Sequence, residues 1–307
     1  MKSRRNFIKK AGFVALGFSM LPNELFANND LIKLTILHTN DMHSHIHPFT
    51  SGRNKGLGGM AQRATLIKKI RQENEHVLLL DAGDIFQGTP YFNFYGGELE
   101  FKLMSEMQYD AATIGNHDFD NGLDGIYKQL PHAKFSFLCA NYDFSDTLLN
   151  GQFKPYKVFE KGGVKIGVFG VGIELNGLVP KALYGNTIYS NPIAKSNYYA
   201  NHLRNELGCD LVICLSHLGF KYKEQKIDDL NLAENTKNID LIIGGHTHTF
   251  LNQPILKLNS EQNEVLISQV GWAGIKVGQI DYFFSQKKVI KNFFGASICV
   301  KNEQKWS

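Results

Sequence analysis

The stretch Gly115-Asn116-His117-Asp118-Phe119-Asp120 is the part of this sequence that most strongly constrains its fold and its chemistry. It follows the apolar run 111–114, which is typical of a buried strand that ends at the glycine. An amide, an imidazole and two carboxylates then occur within five residues. Such a density of ligating groups at a strand end indicates a metal or phosphate site rather than a fold element. The ends of the other apolar runs are therefore the next places to examine.

Apolar runs and helical patterns alternate through the first half of the chain. The pattern predicts strands over residues 31–38, 76–80, 110–114 and 135–140, and helices over 60–73, 98–107 and 123–130. This alternation is typical of β-α-β units, which build a parallel sheet whose binding residues lie at the carboxyl ends of the strands. The predicted fold class is therefore α/β.

The second half of the chain predicts a second sheet. The pattern indicates a hairpin over 156–171, a helix over 196–207 and strands over 210–215 and 239–243. Three further runs, 265–269, 278–284 and 289–294, are predicted to be antiparallel strands that complete this sheet. Because no long linker, repeat or low-complexity segment follows residue 30, we expect one compact domain.

Five predicted strand ends carry metal-ligating side chains. In chain order they are Asp41 with His43, Asp84, Asn116 with His117, His217, and His246 with His248. These ligands offer nitrogen and oxygen but no sulfur, which suits Zn, Mn or Fe. Without His117 the set still has seven groups, more than one tetrahedral ion binds, and it fits two divalent ions that share one carboxylate.

Each of these motifs has a plainer interpretation when it is taken alone. Asp84 could cap the following segment, and residues 245–248 could form a turn with surface histidines. Their joint occurrence at successive strand ends favours a common site. His45 and His47 are interpreted as loop histidines, at most supporting the ligands, and His38 as a core residue with a hydrogen-bond partner.

These motifs together resemble the calcineurin-like metallophosphoesterase family. The matching residues are Asp41-x-His43, Gly83-Asp84, Gly115-Asn116-His117-Asp118, His217 and Gly245-His246-Thr247-His248. Residues 39–41, 83–89, 115–122 and 269–278 are similar to the 5′-nucleotidase branch of the family, and the resemblance extends over about residues 31–285. It implies a four-layer α/β/β/α sandwich and a metal-dependent enzyme that hydrolyses nucleotide phosphate monoesters with a hydroxide held by two ions.

The resemblance also implies roles for individual residues. One metal would take Asp41, His43, Asp84 and His248, and the other would take Asp84, Asn116, His217 and His246. His117 would contact the phosphate and assist the leaving group, and Asp120 would orient His117. Asp118 stands where this branch often has glutamate, and it receives no role.

The N-terminus is predicted to be an export signal. Ser3-Arg4-Arg5-Asn6-Phe7-Ile8-Lys9 precedes a short apolar stretch that ends near Ala27, which is typical of a twin-arginine signal. Residues 1–27 would then be the signal peptide and 28–307 a single periplasmic catalytic domain. The alternatives are an uncleaved membrane anchor and a basic amphipathic helix of the mature domain.

Charge and cysteine content exclude several other classes. Of 33 basic and 29 acidic residues, five basic and one acidic lie within 1–27, so the remainder has no net charge and no general affinity for nucleic acid. No apolar run reaches the roughly 20 residues of a membrane span. The four cysteines, Cys139, Cys209, Cys214 and Cys299, form no C-x-x-C pair and are predicted to be buried free thiols.

Full-length relatives of the 5′-nucleotidase branch carry a C-terminal domain that stacks the base between aromatic side chains. The roughly 20 residues after residue 285 are too few for a domain, so a separate polypeptide is expected to bind the base. The alternative functions are a 2′,3′-cyclic-nucleotide phosphodiesterase, a broad phosphomonoesterase, a thiol-sulfate hydrolase of sulfur oxidation and a metal-bound interaction subunit without activity.

Overall fold

The computed structural model describes residues 31–301, so the predicted export signal lies outside the described residues. In chain order the strands are β1 (Ile32–Thr39), β2 (Val77–Asp81), β3 (Ala111–Ala112), β4 (Ser136–Phe137), β5 (Tyr142–Asp143), β6 (Tyr156–Lys161), β7 (Val164–Gly172), β8 (Ile188–Tyr189), β9 (Leu211–His217), β10 (Leu241–Gly244), β11 (Ile255–Leu258), β12 (Glu264–Ser268), β13 (Lys276–Phe284) and β14 (Ile290–Cys299). The α-helices are α1 (Met60–Glu73), α2 (Pro90–Tyr95), α3 (Glu98–Glu106), α4 (Gly122–Gln129), α5 (Lys181–Tyr184), α6 (Pro192–Asn201) and α7 (Asp229–Asn235). Short 3-10 turns at His117–Phe119 and Leu130–His132 and a π-helical turn at His202–Glu206 complete the described elements.

Twelve of the strands form two six-stranded sheets. The first has the order β14-β13-β1-β2-β3-β4 and the second the order β11-β12-β10-β9-β7-β6. Strands β1 to β4 run parallel to one another, as do β7, β9, β10 and β12. The carboxyl ends of the parallel strands in each sheet therefore lie at one edge, as the β-α-β pattern predicted.

Three apolar clusters divide the domain into four layers. Side chains of β1, β2 and β13 pack against those of β7, β9 and β10 between the two sheets. The outer face of the first sheet packs on α1 and α3, and the outer face of the second packs on α6 and α7. Each fully buried Leu, Ile or Val contributes about 1.5–3 kcal/mol of transfer free energy. The expected α/β/β/α sandwich is confirmed.

The sheet predicted for the last three strands was right for β12, which pairs antiparallel with β11 in the second sheet, and wrong for β13 and β14. Strands β13 and β14 are antiparallel, but β13 pairs with β1 from Ile32 to His38 and so extends the first sheet. Strand β12 belongs to the second sheet, where it runs parallel to β10. Alternation of apolar and polar residues shows that one face of a strand is buried, but it does not reveal which strand lies beside it.

Several element boundaries also differ from prediction. Strand β3 has two residues rather than five, and α6 begins at Pro192, where the Asn191 side chain accepts a hydrogen bond from Ala194 N–H and caps the helix. Cys139, Cys209 and Cys214 are buried, but Cys299 is exposed, because it ends β14 at the edge of the first sheet. Among the described residues, no helix has the length and apolar character needed to cross a bilayer.

Candidate metal centre

The candidate ligands lie at the ends of β1, β2, β3, β9 and β10 or on the turns that follow. Five of them adopt a positive φ: Asp41 (50°), His43 (45°), Asp84 (55°), His246 (70°) and His248 (52°). Residues with a side chain rarely adopt this left-handed conformation, and each instance costs about 1–3 kcal/mol. Strain of this kind is typical of functional sites, because the fold must hold these turns in place against it.

A first group consists of Asp41, His43 and His248, whose ligand atoms lie within 4.8 Å of one another. His43 Nε2 is 2.8 Å from His248 Nε2 and 3.8 Å from Asp41 Oδ1. His248 Nε2 is 3.5 Å from the same carboxylate oxygen. Two imidazole nitrogens and a carboxylate that converge in this way form a donor set for one divalent ion. Asp41 and His43 of this group follow β1 in the first sheet, and His248 follows β10 in the second.

A second group consists of Asp84, His217 and His246, again within 4.8 Å of one another. Asp84 Oδ2 lies 3.1 Å from His217 Nε2 and 3.9 Å from His43 Nε2, so this carboxylate reaches both groups. Asn116 joins the second group, because its Oδ1 lies 2.7 Å from His246 Nδ1. The geometry therefore provides two adjacent donor sets that share one carboxylate.

Backbone carbonyls orient two of the histidines. His217 Nδ1 donates to Ala82 O at 2.7 Å, so Nε2 is the ring nitrogen that faces the site. That buried Nε2 lies 3.1 Å from Asp84 Oδ2. His43 Nδ1 lies 3.3 Å from Phe86 O in the same manner. A histidine that donates through one nitrogen and keeps the other as an acceptor fits a metal ligand.

Burial and mutual charge shift the pKa values of the acidic residues. Burial raises the pKa of Asp41 well above its usual range, and the Asp84 charge adds to the rise. Burial acts on Asp84 in the same direction, but the charges of His217 and His43 outweigh it and lower the pKa of Asp84. Burial lowers the pKa of His217, but the Asp84 carboxylate outweighs it and raises that pKa to about 10. The metal-free protein therefore holds an Asp84–His217 ion pair where a divalent cation would supply the positive charge.

His117 lies beside these groups with its imidazole partly exposed. Its Nδ1 lies 3.2 Å from each carboxylate oxygen of Asp120. The hydrogen bond to Asp120 raises the pKa of His117. On the opposite side of the ring, Nε2 lies 3.4 Å from Gln87 Nε2. With Nδ1 held by Asp120, Nε2 is the nitrogen available to a substrate.

Asp118 is a buried residue that sequence reasoning leaves without a role. Its carboxylate accepts hydrogen bonds from the backbone N–H groups of Gly115, Asp84, Ile85 and Phe86, at 2.8 to 3.1 Å. Burial and the Asp84 charge raise the pKa of Asp118 to about 7, and the backbone donors oppose that rise. The Asp84 and Asn116 turns are thus joined through one carboxylate. Gly115 permits this approach, because a Cβ there would collide with Asp84 Oδ1.

Replacing Asp118 with Asn is expected to lower the free energy of unfolding of the metal-free protein by about 3 kcal/mol. The new amide NH₂ would face two backbone N–H groups and could not accept their hydrogen bonds, and each unsatisfied buried donor costs about 1–3 kcal/mol. Denaturant titration followed by circular dichroism measures the change. Asp124→Asn, on the exposed face of α4, is the matched control and should change the value by less than about 0.5 kcal/mol. Equal stability of the two variants would contradict this role.

All nine residues named from the sequence therefore lie in one region, with seven candidate ligands in two groups and His117 and Asp120 beside them. His38 is a core residue as predicted, with Nε2 2.9 Å from Ser268 Oγ. His45 contacts Trp272, and His47 contacts Tyr91. Neither belongs to a ligand group among residues 31–301.

Sequence reasoning missed several residues that support the site. Asn40 donates to Asp41 Oδ2 at 2.6 Å, and Gln269 accepts from Thr249 N–H at 2.5 Å. Trp272 stacks on His248 with an interplanar angle of 9°. Residues 39–41 and 269–278 are motif positions in the sequence, but only the folded structure shows what they contact.

The fold and the paired donor sets are those of a metal-dependent phosphoester hydrolase. The family model for calcineurin-like phosphoesterases matches residues 34–250, and this chain belongs to that family. Snake venom 5′-nucleotidase from Crotalus adamanteus is 34% identical over 292 residues, which cover 85% of this chain and 47% of the relative.

Solved structures agree with that membership. The 5′-nucleotidase precursor from Thermus thermophilus superposes with a TM-score of 0.79 and 31% identity, covering 88% of this chain and 55% of that chain. The NAD nucleotidase from Haemophilus influenzae superposes with a TM-score of 0.77 and 27% identity, covering 88% and 57%. The chain is 5′-nucleotidase-like, and it spans about half the length of the curated relatives that it matches, 47% in the case of the Crotalus protein.

Proposed function

We propose that this chain hydrolyses the phosphate monoesters of nucleotides with two divalent metal ions. The observation that carries the proposal is the pair of donor groups that share Asp84, with the His117–Asp120 pair beside them. The donor set supports two ions, because Asp84 Oδ2 lies 3.9 Å from His43 Nε2 in one group and 3.1 Å from His217 Nε2 in the other.

The two ions would be held by different sets of side chains. Asp41, His43, Asp84 and His248 would hold one ion, and Asp84, Asn116, His217 and His246 would hold the other. When bound, two divalent ions neutralise phosphate charge and lower the pKa of water, so that hydrolysis proceeds near neutral pH. The candidate metals remain Zn, Mn and Fe, because all the donors are nitrogen or oxygen.

His117 and Asp120 would act on the phosphate and the leaving group. Asp120 accepts a hydrogen bond from His117 Nδ1–H, and in the protonated imidazole the Nε2–H can donate a second hydrogen bond to a phosphoryl oxygen. A protonated imidazole can also give its proton to the departing ribose oxygen, which avoids an alkoxide leaving group. Asp120 would keep the ring in that orientation and favour its protonated form.

Base recognition would come from outside residues 31–301. The phosphate-handling groups lie within these residues, whereas the matched relatives are about twice as long, as the 47% coverage of the Crotalus protein shows. We propose that a further domain, on a separate polypeptide or on more of the same chain, contacts the base. We also propose export through the predicted twin-arginine signal, which would place the enzyme in the periplasm.

A phosphate-release panel tests the proposed function. Metal-loaded protein is given nucleoside monophosphates, 2′,3′-cyclic nucleotides and an aryl phosphate, with Asp84→Asn as the inactive control. Free phosphate is measured together with the nucleotide products, because opening a cyclic ester yields a monophosphate and releases no phosphate. We expect phosphate release from the monophosphates and from the aryl ester, and little opening of the cyclic nucleotides. Activity on the cyclic nucleotides alone would favour the phosphodiesterase alternative. Absence of phosphate release from every ester, with both ions bound, would overturn the proposal.

A further inference from the structure

The segment Gln269–Trp272, which directly follows β12, contacts both halves of the first donor group. This group takes Asp41 and His43 from the turn after β1, in the first sheet, and His248 from the turn after β10, in the second. The two turns already share one direct contact, because His246 N–H donates to both carboxylate oxygens of Asp41, at 2.9 and 3.0 Å. The segment Gln269–Trp272 adds further contacts to the two turns on either side of this link.

Gln269 holds the turn that carries His248. The Gln269 side chain is fully buried, and its Oε1 accepts from Thr249 N–H at 2.5 Å and from Thr247 Oγ1 at 3.1 Å. Its Nε2 donates to Gly245 O at 2.5 Å. One amide therefore satisfies polar groups before and after the histidines of the turn. A buried amide with both ends paired has one orientation.

The next two residues hold the opposite half. Val270 N–H donates to Asn40 Oδ1 at 2.9 Å, and Asn40 Nδ2 donates to Gly271 O at 2.6 Å. The same Nδ2 lies 2.6 Å from Asp41 Oδ2. The segment thus fixes Asn40, which in turn contacts the carboxylate of the first donor group.

Trp272 contacts His248 directly. The indole and imidazole planes are nearly parallel, at 9°, with ring centroids 5.7 Å apart. His45 and Phe49 pack edge-on against the indole at 5.2 Å and 5.8 Å and restrict its rotation.

His248 needs this support more than His43 and His217 do. Its side chain is 39% exposed, whereas those of His43 and His217 are 2% and 0% exposed. Backbone carbonyls fix Nδ1 of His43 and of His217, but within residues 31–301 the His248 ring has a single hydrogen-bond contact, to His43. Metal-bound histidines are normally oriented by a hydrogen bond through the second nitrogen. For His248, stacking on Trp272 takes the role of that orienting hydrogen bond.

We propose that Trp272 is a positioning residue, which orients His248 by stacking and thereby sets the affinity of the first donor group for its ion. The inference rests on the two-ion site of the proposed function but not on the nucleotide substrate. Trp272 makes no ring contact with a histidine of the second donor group in the described part of the chain, so its effect is selective for one ion.

Metal titration of the metal-free protein by isothermal calorimetry, with Mn²⁺ as the probe, tests the proposal. For Trp272→Leu we expect one of two ions to bind about 10–100-fold more weakly, and the other to bind as in the wild type. Trp272→Phe keeps an aromatic ring and should recover most of the affinity. Phe283→Leu is the matched control, because Phe283 is a half-buried aromatic residue that contacts Phe294 at the end of β13 opposite the site, and both ions should bind normally to this variant.

A double-mutant cycle identifies the ion that is affected. His248→Ala should weaken one ion, and adding Trp272→Leu should have no further effect, because the two residues act through one contact. Unchanged binding in Trp272→Leu, equal weakening of both ions, or the same loss in Phe283→Leu would each overturn the proposal. A wild type that binds two ions but releases no phosphate would refute the proposed function and leave this inference intact.

Discussion

His117→Ala is expected to lower kcat by about 10²–10⁴-fold, the usual contribution of a positioned proton donor, while both ions remain bound. The imidazole belongs to neither donor group, and its Nδ1 is occupied by Asp120. In the proposed mechanism, removing the ring would remove the hydrogen bond to the phosphate and the leaving-group proton without removing a ligand. Steady-state kinetics on a nucleoside monophosphate, together with metal analysis of the same sample, measures both quantities.

A graded series strengthens this test. Asp120→Asn keeps the size of the side chain and weakens the charge that supports the imidazolium, so its kcat should fall less than that of His117→Ala. An aryl phosphate with a good leaving group should be less affected, because its departing oxygen needs no proton. Unchanged kcat in His117→Ala would refute the catalytic role and favour the alternative of a metal-bound interaction subunit.

Asp84→Asn is expected to lower kcat/KM by about 10³-fold or more, through the loss of ion binding that supplies several kcal/mol of charge stabilisation. Asp84 Oδ2 is close to His217 and to His43, so one substitution affects both donor groups. An asparagine can still accept the hydrogen bond that Asp84 Oδ1 receives from His117 N–H at 2.8 Å. The change therefore removes charge and one ligand atom while the backbone contact is kept.

Metal content per chain, measured after dialysis against buffered Mn²⁺, should fall below that of the wild type for both ions. Asp240→Asn is the matched control, since Asp240 is a carboxylate paired with Arg204 that lies just before β10, at the end opposite the site. Loss of only one ion in Asp84→Asn would contradict the shared position of this carboxylate.

The site was more predictable from the sequence than the sheets were. Asp41, Asp84, Asn116, His217 and His246 each follow an apolar run, and parallel strands bring their carboxyl ends together, so local pattern and topology agree. Strand β13 pairs with β1, although the two strands lie near opposite ends of the described chain, and no local sequence pattern specifies such a distant partner.

The supporting residues were unpredictable for a related reason. Asp118 accepts hydrogen bonds from the backbone N–H groups of residues 32 to 34 positions earlier. Almost every residue has a backbone N–H, so the sequence does not indicate which of them will be the donors. Gln269 reaches Thr249 across 20 positions, and its amide resembles any other in the sequence. Metal-ligating side chains can be identified in a sequence by their residue type. The residues that orient them can be identified only from their contacts in the folded structure.

The first donor group also has a consequence for how the chain acquires its metal. His43 and His248 are 205 positions apart in the chain and meet only when both sheets have formed. An ion bound between them would act as a non-covalent crosslink across a long loop, and its binding energy would contribute to folding. A chelator should therefore accelerate unfolding of the holoprotein, and a nascent or partly folded chain offers no complete site for an ion to occupy prematurely.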